Sequence, residues 1–70
     1  MTQNERIIRH LRDYGSITPL EAMQEYGIMR LASRVCELKR QGVAIRVINE
    51  SGRNRYGERT SYARYILEDK

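Results

Sequence analysis

"YGIMRLASRVCELKRQG", residues 26–42, decides the fold. A Tyr26-Gly27-Ile28 turn opens the stretch and Gly42 closes it, and the apolar residues between them recur at helical spacing. Leu31, Val35 and Leu38 stand at i, i+4 and i+7 and form one buried stripe. With about 100° per residue counted from Leu31, the opposite side carries Met29, Ser33, Cys36, Glu37 and Arg40. Arg30 and Arg34 lie on one flank and Lys39 on the other, and Lys39 and Arg40 in the last turn suit the helix dipole. The spacing predicts a helix over 29–41 that packs on one side and offers a polar, mostly basic side to a partner.

Upstream, "ITPLEA" sets Thr18, Pro19 and Glu21 in the order of an N-cap, an N1 proline and an N3 acid. A short helix over 19–26 follows, with Leu20, Ala22, Met23 and Tyr26 available to a core. Thr2 with Glu5 forms a second capping box, and Gly15 stops the helix it starts, predicted over 4–14. Ile7, Ile8, Leu11 and Tyr14 share one face of that helix, with Arg6, Arg9, His10, Arg12 and Asp13 elsewhere. His10, the one histidine, has no companion at metal-ligand spacing and reads as a surface residue.

Downstream of Gly42 the period changes to that of strands. "VAIRVIN" (43–49) and "SYARYIL" (61–67) read as a two-stranded hairpin, with Tyr62, Tyr65, Ile66 and Leu67 as its core and edge residues. Between them "ESGRNRYGERT" (50–60) is a polar loop longer than a tight hairpin needs, with Arg53, Arg55 and Arg59 near its tip.

Composition narrows the partner. Thirteen Lys and Arg face nine Asp and Glu, a formal net charge of +4, and the excess lies entirely after residue 26. Eleven of the thirteen are arginine, which grips phosphates and base edges bidentately where lysine acts as a point charge. A polyanion is the partner this pattern implies. Seventy residues at 40% hydrophobic content make one domain, 1–70, with a single small core. The lone Cys36 excludes an internal disulfide and points to a reducing compartment, and its position on the outer side of its helix makes it an incidental thiol. No apolar run is long enough to span a bilayer and the start lacks a signal-peptide core, so a cytoplasmic protein without a membrane partner is expected.

Three helices followed by a basic-tipped hairpin is an α+β layout, that of a winged helix-turn-helix. A major groove about 12 Å wide accepts one α-helix that is packed on one side and polar on the other. Residues 17–42, "ITPLEAMQEYGIMRLASRVCELKRQG", also resemble the core of the small winged helix-turn-helix proteins encoded by bacteriophages and prophages. The shared features are the Thr18-Pro19-x-Glu21-Ala22 helix start, the Tyr-Gly-Ile turn, Arg30-Leu31-x-x-Arg34 and the Leu38-Lys39-x-x-Gly42 exit. The resemblance covers 26 of the 70 residues and implies double-stranded DNA binding in phage gene regulation. One departure from longer-helix bacterial regulators is the short interval between Gly27 and Gly42, which leaves room for fewer base contacts per monomer.

By resemblance and helical wheel together, Arg30, Ser33 and Arg34 are expected to line the groove beside Met29, and Glu37 to accept from a cytosine amino group. Arg40 and Lys39 would meet phosphates. Arg34 has a competing structural reading, its stem on the core and its head on Glu37 or Glu21. In the wing, Arg53, Arg55 and Arg59 would neutralise phosphates or reach into a minor groove, with Asn54 and Tyr56 adding hydrogen-bonding reach. The roles open to such a protein are transcriptional regulator and recombination directionality or architectural factor, in the host bacterial cytoplasm if phage-encoded. A homodimer or cooperative assembly on DNA would add specificity. No Cys/His pair, spaced carboxylate pair or Gly-rich phosphate loop is present, so neither catalysis nor a metal or other cofactor is expected. The alternative is a protein-binding module of the same fold, an antirepressor or an inhibitor of a host nucleic-acid-binding protein.

Overall fold

The computed structural model describes residues 1–68. Its elements run α1 (Gln3–Tyr14), β1 (Ser16–Ile17), α2 (Pro19–Tyr26), α3 (Leu31–Arg40), β2 (Ile45–Arg53) and β3 (Arg59–Leu67). The first two helices begin where their side chains can satisfy the free amides of a first turn. Thr2 Oγ1 accepts from Glu5 N at 3.1 Å and Glu5 Oε1 accepts from Thr2 N at 2.7 Å. Thr18 and Glu21 repeat the exchange at 3.2 and 2.9 Å. Gly27 ends α2 at φ 68°, a left-handed conformation that glycine adopts without penalty. Its amide and that of Ile28 turn back to Met23 O and Ala22 O, which drops the Ile28 side chain into the core.

The three strands form an antiparallel sheet in the order β1-β3-β2. β1 is two residues long, pairing Ser16 with Ile66 and Ile17 with Tyr65. The hairpin register sets Ile45 opposite Leu67, Val47 opposite Tyr65 and Arg53 opposite Arg59. Odd-numbered residues of both long strands therefore share the face that bears the buried Ile45 and Tyr65, and even-numbered ones share the reverse. Every element contributes to one core: Ile7 and Leu11, Ile17, Ala22, Leu31 with Val35 and Leu38, Ile45 and Tyr65, joined by Ile28 from the turn.

Five features differ from the sequence expectation, one being that Leu20 and Met23 of α2 are exposed and not in the core. His10 is buried at 6% exposure, sharing a 2.7 Å hydrogen bond between Nδ1 and the Tyr26 hydroxyl, with the Tyr14 ring 4.7 Å away. Its angular position lies beside the Ile7–Leu11 stripe, and a hydrogen-bonding partner makes burial of the imidazole tolerable. Tyr14 takes the outer place instead, 73% exposed. The third helix begins at Leu31 because Arg30 has non-helical angles, φ −116° and ψ 61°, which leaves Met29 in the connecting turn. The hairpin starts later, at Ile45, since Val43 N still bonds to Leu38 O, and its strands run on through Gly52, Arg53, Arg59 and Thr60. Those outer rungs are solvated on both faces, so no apolar alternation marks them. Finally, the short strand Ser16–Ile17 adds a third member to the expected hairpin.

Candidate nucleic-acid interface

The 41–44 turn joins α3 to the hairpin, and Ala32 and Cys36 of α3 line a common groove with Val47 of β2. Leu31, Val35 and Leu38 bury one side of α3, and Ala32, Ser33, Cys36, Lys39 and Arg40 are exposed on the other. At about 1.5 Å per residue in a helix and 3.3 Å in a strand, α3 is about 15 Å long and each hairpin strand about 30 Å. The hairpin strands are thus about twice as long as the helix, in a molecule whose longest dimension is 39 Å.

The wing tip is a built turn. Asn54 N bonds to Glu58 O and Gly57 N to Asn54 O, both at 3.0 Å. The Asn54 side-chain oxygen accepts from Tyr56 N and Glu58 N at 2.9 and 3.1 Å, and its amide donates to Glu58 Oε1 at 2.9 Å. Gly57 supplies the left-handed residue, φ 79°. Asn54 is consumed in shaping the tip, and Arg55 and Tyr56 are what the tip displays, Tyr56 at 79% exposure. Arg53 donates from Nη1 to Gly57 O at 2.8 Å and stands directly across the ladder from Arg59. Two like charges in register disfavour the isolated hairpin, and among the described residues neither has an acidic partner.

Three other cations of the second half, Arg34, Arg46 and Arg64, are paired. Arg64 donates to Glu50 at 2.8 Å and to Ser16 Oγ at 2.9 Å, which ties β1, β2 and β3 together on the reverse face. That bond holds the Glu50 carboxyl below the usual carboxylate range and keeps Arg64 protonated further into alkali. Arg46 faces Glu68 at 3.7 Å. Arg34 and Glu37 approach to 3.3 Å, and Glu37 also accepts from Asn4 Nδ2 of α1 at 3.2 Å. Each oxygen of Glu37 thus has one partner, in the arrangement of the competing reading of Arg34.

Of the expected site residues, the structure brings Ser33 and Arg40 onto the outer side of α3 and Arg53, Arg55, Tyr56 and Arg59 onto the wing. Arg30 is exposed at the N-cap of α3, whose first turn has neither a side-chain cap nor an acid, unlike those of α1 and α2. Arg34 and Glu37 lie half-buried on the flank toward α1. Met29, 77% exposed, points away from this surface into a second groove beside Leu20, Met23, Ile28 and Tyr62. Ala32 and Val47, absent from the sequence expectation, line the cleft between α3 and β2. Their signal was available only in part, because an alanine on a helix and a valine in a strand are ordinary until exposure is known. Among the described residues no cluster of His, Cys, Asp or Glu could hold a metal, and no helix is long and apolar enough to cross a membrane.

A helix-turn-helix with a three-stranded sheet and a protruding cationic wing is the architecture of a winged helix. Over residues 2–70 the chain matches the winged helix-turn-helix domain family and belongs to it, and that fold class implies DNA binding. No curated protein and no solved structure matches the chain.

Proposed function

We propose that the protein binds double-stranded DNA by laying the exposed side of α3 in the major groove while the wing holds the flanking backbone or minor groove. The observation that carries this is the distribution of unpaired cations. Among the described residues Arg30, Lys39, Arg40, Arg53, Arg55 and Arg59 on α3 and the wing have no acidic partner, whereas Arg34, Arg46 and Arg64 are neutralised internally. A like-charge pair such as Arg53 and Arg59 is relieved when a phosphate sits between its members. In this reading Arg40, Lys39, Arg53 and Arg59 meet phosphates, Arg55 and Tyr56 reach the minor groove, and Arg30 and Ser33 approach base edges. Arg34, Glu37 and Asn54 position the elements that carry them.

The role is that of a phage or prophage regulator or a recombination-directing architectural factor, acting in the bacterial cytoplasm. A single small module buries about 600–1,000 Å² on DNA, so a homodimer or several adjacent copies would supply operator specificity. The groove bearing Leu20, Met23, Met29 and Tyr62 favours a second reading, a protein-binding module, since an exposed apolar cleft is where such a partner docks. Fluorescence anisotropy with a random-sequence duplex separates the two. DNA binding predicts micromolar affinity at low salt that Arg30→Ala and Arg53→Ala/Arg55→Ala weaken. No binding by the wild type at low salt removes it and turns attention to Leu20→Glu or Met23→Glu in a partner pull-down.

A further inference from the structure

Between α3 and β2 runs an open groove of about 380 Å³ whose exposed floor and walls are apolar, made by Ala32, Cys36 and Val47 over the buried Val35. Lys39 and Arg40 also line it and no acidic residue does. We propose that this groove is the base-reading centre of the interface and that it selects thymine by packing against the 5-methyl group. The proposal rests on the DNA-binding reading above and gives it a base preference.

Ala32 and Cys36 are one turn apart on the exposed side of α3, so they meet the same narrow strip of any ligand laid along the helix. Val47 closes that strip from the sheet at 45% exposure. A base edge brought against it loses water without gaining hydrogen bonds, which is costly for the donors and acceptors of guanine, cytosine and adenine. Only the thymine methyl presents an apolar group in the major groove. Charge complementarity points to a polyanion as the occupant, because Lys39 and Arg40 line the groove and no acid does.

The test begins with selection of bound duplexes from a randomised pool. Each thymine of the enriched site is then replaced by deoxyuridine, which removes the methyl and nothing else, and affinity is measured for the wild type, Cys36→Ser and Val47→Thr. One buried methyl is worth about fourfold in affinity. The proposal expects one or two thymines at which deoxyuridine weakens wild-type binding about fourfold each. It also expects that ratio to fall toward one in the two variants, whose thermal melting stays that of the wild type. If no thymine position is enriched, if deoxyuridine costs nothing anywhere, or if the variants keep the full ratio, thymine reading is overturned while DNA binding stands. If no duplex binds at all, both fall together.

Discussion

Arg59→Gln separates what the wing costs the folded chain from what it gives to binding. Arg59 faces Arg53 in the ladder and makes no ion pair among the described residues, while Arg53 is also anchored to Gly57 O. Removing Arg59 therefore removes a like-charge neighbour and no hydrogen bond. A directly opposed like-charge pair is unfavourable by about 0.2–1 kcal/mol. For a domain of this size 1 kcal/mol moves the melting temperature by about 4–8 °C, so the variant should melt between one and several degrees higher. Its DNA binding should weaken. One lost phosphate contact makes the slope of log K against log salt shallower by about 0.9, which is about eightfold in affinity at 0.1 M salt. Calorimetric melting and an anisotropy salt series measure the two quantities on the same preparation. A lower melting temperature with unchanged binding would refute the reasoning, because Arg59 would then be a structural residue.

Further perturbations test the core and its electrostatics. Tyr26→Phe leaves His10 Nδ1 buried without its partner and should cost about 1–3 kcal/mol in urea unfolding; a loss below about 0.5 kcal/mol would mean that the bond contributes nothing. Thr18→Ala removes the α2 capping box and should cost about 1 kcal/mol, and Leu38→Ala, at a fully buried position, about 2–5 kcal/mol. Glu5 is held below its ordinary value of 4.5 chiefly by the Thr2 backbone amide, and Glu50 chiefly by its hydrogen bond from Arg64. Folded-state values below the unfolded ones mean that this stability is fully present above about 4.5 and drains away as pH falls through the lowered values. Glu50→Gln should flatten the acid limb of a pH series of urea midpoints.

What could be read from the chain followed local chemistry. The two capping boxes, the stop at Gly27 and the stripe of Leu31, Val35 and Leu38 each depend on residues a few positions apart, and they place the helices within a residue or two. The features that escaped depend on distant partners. β1 is a strand only because β3 lies beside it, and two residues carry no period. His10 is buried because Tyr26, on another helix, offers a hydroxyl. The outer hairpin rungs have no apolar alternation, since neither of their faces meets the core. The candidate site shows the same division. A cationic helix and wing are visible in composition, but which cations are free is decided by pairs such as Arg34 with Glu37 and by the Asn4 contact across helices. The apolar strip of Ala32, Cys36 and Val47 exists only once α3 and β2 are set side by side.

The most direct test of the central claim is the salt dependence of binding to duplex DNA by the unaltered protein. The four cations placed on phosphates, Lys39, Arg40, Arg53 and Arg59, predict a slope of log K against log salt of about −3.6. A slope between zero and −1, or no binding at low salt, would contradict the account, because those cations would then be no more than a solvated surface.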